Sequence, residues 1–165
     1  MATKKKVGIK VPTKNEILKK YGSMIIQASD TKEPGLWLPS TFFNLNYTLG
    51  GGFPWGKVTE IAGEESSGKT LIALNAAYAC QQLGGSVIWV DAEQSWMNSW
   101  AELNGIDPNK VTVIRDTRIE YISDAVADVA IYLRSQLVNN EPILLVVDSV
   151  AAIDCSDNID SKMVD

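Results

Sequence analysis

From residue 57 onward, apolar runs and helical repeats take turns along the chain. Val58 to Ala62 reads as a short strand, Ser86 to Asp91 as an apolar strand opening after Gly84-Gly85, and Val111 to Arg115 and Ile143 to Asp148 as two more. Between them, Lys69 to Leu83, Ser99 to Asn104 and Tyr121 to Leu137 have the spacing and composition of helices, the second ended by Gly105. A continuous run such as Ile143-Leu-Leu-Val-Val147 suits a strand buried on both faces. Strands separated by helices imply right-handed crossovers into a parallel sheet. The fold class is therefore α/β, a mostly parallel central sheet flanked by helices. Before residue 57 the pattern is looser. Asn15 to Tyr21 puts Ile17, Leu18 and Tyr21 on one helical face. Residues 29–57 are mostly loop, punctuated by Pro34, Gly35, Pro39, Gly50-Gly51-Gly52, Pro54 and Gly56 and interrupted by a possible helix from Ser40 to Leu49.

Composition narrows the chemistry. With 45% of its 165 residues apolar and 21% charged, the chain can bury a core as one domain and is too hydrophobic to be disordered. It has no histidine, and its two cysteines, Cys80 and Cys155, stand far apart. Zinc sites of the usual type and histidine-based triads are excluded, and both cysteines read as small buried hydrophobes. The longest aliphatic run is far shorter than the ~20 residues of a membrane span, and the first twenty residues lack a signal-peptide core. A cytoplasmic location and no membrane partner are expected. Charge is unevenly spread: residues 1–20 carry seven lysines against Glu16, leaving eight basic and nineteen acidic side chains for the rest. Such a basic arm on an acidic body can meet nucleic acid or the acidic face of a neighbouring subunit.

Three elements carry chemistry. Gly63, Glu64, Glu65, Ser66, Ser67, Gly68, Lys69 and Thr70 fit G-x-x-x-x-G-K-[ST], between an expected strand and an expected helix. The glycines permit a tight loop whose N–H groups ring a phosphate at a helix N-terminus. Lys69 adds a point charge for the β- and γ-phosphates, and the Thr70 hydroxyl is suited to Mg²⁺. ATP or GTP binding follows, with Glu64 and Glu65 turned to solvent. Asp148 ends the strand run 143–147 at the sheet edge where ligands bind, the setting of a Walker B aspartate holding Mg²⁺ directly or through water. Asp91-Ala-Glu93 reaches the same edge. A carboxylate there can take a proton from a water attacking the γ-phosphate, a role for which Glu93 is the candidate and Asp91 its competitor.

These elements, in this order, resemble the RecA-type recombinases, ATP-dependent proteins that form filaments on single-stranded DNA. The resemblance runs from Tyr21 to Ile153 through Tyr21-Gly-Ser, Leu49-Gly-Gly-Gly-Phe-Pro-Trp-Gly56, the loop 63–70, Asp91-Ala-Glu93, Gly105-Ile-Asp107 and Val147-Asp-Ser-Val-Ala-Ala-Ile153. It implies a RecA-like P-loop NTPase core with ATP on residues 63–70, Mg²⁺ on Thr70 and, through water, Asp148, and Glu93 activating the hydrolytic water with Lys69 as the catalytic cation. Trp100 falls where the family has an aromatic stacked on adenine; its alternative reading is a helix core aromatic. Met97 stands where family members commonly carry an aspartate, and Gln94 and Ser95 also depart from the usual wording.

The resemblance further implies two regions. Residues 1–30 would be a basic oligomerisation arm, with Met24-Ile25-Ile26 as the docking strand, and residues 31–165 a partial ATPase core. The chain stops at Asp165, where the family's first DNA-binding loop begins, so an incomplete sheet is expected, with single-stranded DNA contacts largely beyond this chain and weak hydrolysis by the isolated segment. The implied function is a Mg²⁺-dependent, DNA-dependent ATPase of homologous recombination and repair that forms homo-oligomeric filaments, pairs homologous strands and exchanges them. The alternatives are a RecA-like ring-forming motor or regulatory ATPase without strand exchange, and a module that binds nucleotide only to cap or join other filaments.

Overall fold

The computed structural model describes residues 12–24 and 35–154. Cys155, Ile25, Ile26 and most of the basic arm lie outside the described residues. The chain divides into two compact units, Met1–Gly35 and Leu36–Asp165.

In the first unit, α1 (Lys14–Tyr21) is held by its own ends. The Thr13 hydroxyl accepts from the Glu16 N–H at 3.3 Å while the Thr13 N–H donates to the Glu16 carboxylate at 2.8 Å, a reciprocal cap. Lys19 and Lys20 in the last turn complement the helix dipole. No residue of this helix is buried, so its local signals rather than a core define it.

The second unit is built on a parallel sheet. Its elements are β1 (Trp37–Leu38), α2 (Phe43–Leu49), β2 (Phe53–Pro54), α3 (Lys69–Gln82), β3 (Ser86–Asp91), α4 (Asn98–Leu103), β4 (Val111–Ile114), α5 (Ile119–Gln136) and β5 (Ile143–Asp148). The strand order is β4-β3-β5, all parallel. The central strand β3 is buried along most of its length, as its unbroken apolar run predicts. Val87 and Trp89 join Leu74, Ala77 and Cys80 of α3, with Val111, Val113, Leu144 and Val146 of the flanking strands, in the main core. Ile88 and Val90 alternate to the other face of the strand, and α5 packs against all three strands. Gly85 lets β3 start tight against this core, because a Cβ there would press on Cys80 Sγ at 2.7 Å and on the Pro142 carbonyl. Burial pushes the Cys80 thiol up to about 11.

β1 and β2 form a separate antiparallel pair around α2. The expected helix from Ser40 starts only at Phe43, because Asn46 ties up its first residues. Its carboxamide oxygen accepts from the Ser40 N–H at 2.7 Å, and its amide donates to the Ser40 carbonyl at 2.7 Å. The larger departure is Val58 to Ala62. These residues form no strand, and Val58 is 98% exposed. A strand needs a neighbour for its N–H and C=O groups, and among the described residues the outer side of β5 has no partner and none lies beside 58–62. The loop 63–70 therefore follows an irregular segment rather than a strand.

Candidate nucleotide site

Four segments converge at the carboxyl ends of the strands. Parallel pairing of β3 with β5 runs from Ser86 opposite Ile143 to Asp91 opposite Asp148, so both aspartates end their strands at one edge. This is where ligands bind in open parallel sheets.

The loop before α3 is a compact turn. Gly68 has φ 92°, in the left-handed region that glycine favours, and Ser66 also has a positive φ of 59°. A Cβ on Gly63 would meet Ser67 Oγ at 2.7 Å, so the loop closes on itself there. The Lys69 ammonium donates to the carbonyls of Gly63 and Glu64 at 3.1 and 2.8 Å, lying back across its own loop. Glu64 and Glu65 are exposed, as expected. Thr70, in the first turn of α3, donates its hydroxyl to Asp148 Oδ2 at 2.9 Å across 78 residues of sequence. The loop and the acidic strand end thus share one site.

The two carboxylates left in competition by the sequence have different surroundings. Asp91 is fully buried. Its carboxylate accepts from the Ser95 N–H at 2.8 Å, the Trp96 N–H at 3.1 Å and Arg115 Nε at 3.2 Å. Such a carboxylate is committed to holding structure. Glu93 is exposed and accepts a hydrogen bond from the Ser149 hydroxyl at 2.6 Å, which leaves carboxylate oxygen open to solvent. Ser149 immediately follows Asp148, so Glu93 stands beside the Thr70–Asp148 pair.

A shallow depression leads away from that pair, lined by Thr70, Asp148, Leu74, Trp89, Ser95, Trp96, Met97 and Trp100. Trp100 is 42% exposed, which removes its alternative reading as a core aromatic. Trp96 was not anticipated. Its ring tilts against Trp89 with centroids 5.0 Å apart, and its indole N–H donates to Asn98 Oδ1 at 2.8 Å. Arg115 and Ser149 were missed as well. The register that sets Val90 opposite Ile114 would have flagged Arg115, since the next residue on each strand brings Asp91 and Arg115 together.

The donor set suits a hard divalent cation: a hydroxyl and a carboxylate 2.9 Å apart, both oxygen ligands. Among the described residues no group of three or more His, Cys, Asp or Glu side chains gathers, so such a cation would draw its remaining ligands from phosphate and water, as Mg²⁺ commonly does. Among the same residues, no helix is long and apolar enough to cross a membrane.

A family model described as the RecA N-terminal domain matches residues 10–165. A protein named RecA from Malacoplasma penetrans is 38% identical over 151 residues, covering 91% of this chain and 44% of that protein. RecA of Bacteroides thetaiotaomicron is 31% identical over 169 residues, covering 100% of this chain and 49% of its own. RecA of Petrotoga mobilis is 39% identical over 129 residues, 78% of this chain and 33% of its own. The chain thus spans less than half the length of these relatives.

Proposed function

We propose, from the premise that this chain belongs to the RecA family, that it carries the ATP-binding part of a DNA-dependent ATPase that assembles on single-stranded DNA and promotes homologous pairing and strand exchange. One observation carries the reading: the hydrogen bond from Thr70 to Asp148, which joins the glycine-rich loop to the strand-ending carboxylate. In this reading residues 63–70 are a Walker A P-loop. Their backbone N–H groups and the α3 N-terminus receive the phosphates, and Lys69 leaves the Gly63 and Glu64 carbonyls to neutralise them. Mg²⁺, held by Thr70 and through water by Asp148, would supply charge neutralisation at the β- and γ-phosphates. Glu93, with an oxygen free beside Ser149, orients the hydrolytic water and accepts its proton, while Trp100 offers its exposed ring to the base. Residues 1–30 act as the basic oligomerisation arm and 31–165 as part of the ATPase core, in a homo-oligomer of the cytoplasm.

The test is ATP hydrolysis by the longest natural reading frame containing this segment, with and without single-stranded DNA. Stimulation by DNA that Lys69→Ala and Glu93→Gln each reduce by about 100-fold or more is expected. Hydrolysis indifferent to single-stranded DNA would replace this reading with a ring-forming motor or regulatory ATPase.

A further inference from the structure

We propose that Arg115 is a positioning residue for Glu93, its guanidinium clamping the turn that presents this carboxylate. The proposal rests on the ATPase reading above. Glu93 sits in the turn that leaves β3, and both feet of that turn are bound to one carboxylate. Asp91 begins it, the Gln94 N–H donates to the Asp91 carbonyl at 3.2 Å, and the N–H groups of Ser95 and Trp96 return to the Asp91 side chain. Between the feet, Gln94 is held at φ 54°, a left-handed conformation that a side-chain-bearing residue keeps only when its surroundings impose it.

Arg115, just past the end of β4, ties the two ends of the turn together. Its Nε donates to Asp91 Oδ2 at 3.2 Å, and its Nη2 donates to the Trp96 carbonyl at 3.2 Å. One rigid planar group therefore fixes the start and the end of the turn at once. Lysine, a single point charge, cannot match that fork. The clamp also bears on the tryptophan cluster, because Trp96 is the residue whose N–H and carbonyl it brackets and whose ring rests on Trp89. Arg115 touches neither loop 63–70 nor Asp148 among its hydrogen bonds. A loss of kcat with KM for ATP unchanged would then pass through where Glu93 stands rather than through the Trp96-lined depression, and a carboxylate that orients water loses rate steeply when displaced by an ångström.

Arg115 could instead serve only to neutralise the buried Asp91 charge, and Arg115→Lys separates the two roles by keeping the charge and losing the fork. In the full-length protein, DNA-stimulated hydrolysis is measured for wild type, Arg115→Lys and Arg115→Gln at a temperature where circular dichroism shows each folded. Arg115→Lys is expected to lower kcat at least about fivefold while KM for ATP stays within about twofold. A lysine variant with wild-type kcat, whatever its thermal stability, would overturn the proposal and leave Arg115 a neutralising partner. A wild-type rate unaffected by Lys69→Ala would overturn the ATPase reading and the proposal with it, whereas a Lys69-dependent rate indifferent to Arg115→Lys overturns the positioning role alone.

Discussion

Two arginine–aspartate pairs meet at the end of β4, and they differ in a way that distance does not reveal. Arg118 and Asp116 approach to 2.7 Å and are two residues apart in sequence, while Arg115 and Asp91 stand at 3.2 Å and are 24 residues apart. The arginines are similarly exposed, 54% for Arg115 and 49% for Arg118. The aspartates are not: Asp91 is 0% exposed and Asp116 24%. An ion pair in contact with water gains little, because its members are well solvated when apart and salt screens them. A buried carboxylate has given up its hydration, and losing its partner leaves that cost uncompensated. The longer pair should therefore matter more to the fold.

Removing each arginine in turn is the largest test of this contrast. Arg115→Gln leaves the Asp91 carboxylate buried without a cation and is expected to destabilise the fold by about 3 kcal/mol, with the half-exposed position of the guanidinium holding the loss to the lower end of such cases. Arg118→Gln is expected to leave the denaturation midpoint unchanged within error, since Asp116 keeps its contact with water. Chemical denaturation of both variants, read by the fluorescence of buried Trp89, makes the comparison. Equal losses would show that burial is not what separates the pairs.

Replacing Asp91 by asparagine sharpens the comparison at a smaller scale. The carboxamide keeps the volume and one acceptor, but its NH₂ faces donors where a carboxylate oxygen stood, either the Ser95 N–H at Oδ1 or the Trp96 N–H and Arg115 at Oδ2. A loss of about 1–3 kcal/mol is expected for the group left unsatisfied. The turn 91–96 should exchange its amide hydrogens faster while those of the α3 core stay protected. Uniform loss of protection across the second unit would mean that the turn is not a separable element.

The same contrast explains what could be read from the sequence. The bounds of β3 and β5 were legible to the residue because a run of apolar side chains marks a strand, a property of that stretch alone. β3 is buried as such a run predicts, whereas β5, expected to be buried on both faces, is only partly buried and leaves Leu145 46% exposed, because among the described residues it is an edge strand. The tight turn ahead of α3 was legible because its glycines act within a few residues of one another. Val58 to Ala62 failed for the opposite reason, since a strand exists only through its neighbour and this segment has none among the described residues. The separation of Asp91 from Glu93 was likewise hidden. Both stand at the end of one strand, and the donors that commit Asp91 include Arg115, which only the strand register brings beside it. Trp96 was missed because its place against Trp89 depends on that committed turn.

The smallest effect, on the exposed pair, is one of protonation. The Arg118 side chain and backbone donate to Asp116, and together they hold its carboxyl well below the usual carboxylate range. Because the folded-state value is depressed, whatever Asp116 contributes is present above the unfolded aspartate value near 4 and is lost as pH falls below it. Carbon-detected nuclear magnetic resonance across that acid range, in the presence of moderate salt, is expected to leave Asp116 ionised where an ordinary aspartate has protonated. Arg118→Gln should return it toward the ordinary value. The accompanying change in stability should be slight and should shrink as salt is raised, since the pair remains in reach of water. An Asp116 that titrates with the other surface carboxylates in the wild-type protein would mean that the 2.7 Å contact is not held in solution, and the exposed pair would then be weaker still beside Asp91 and Arg115.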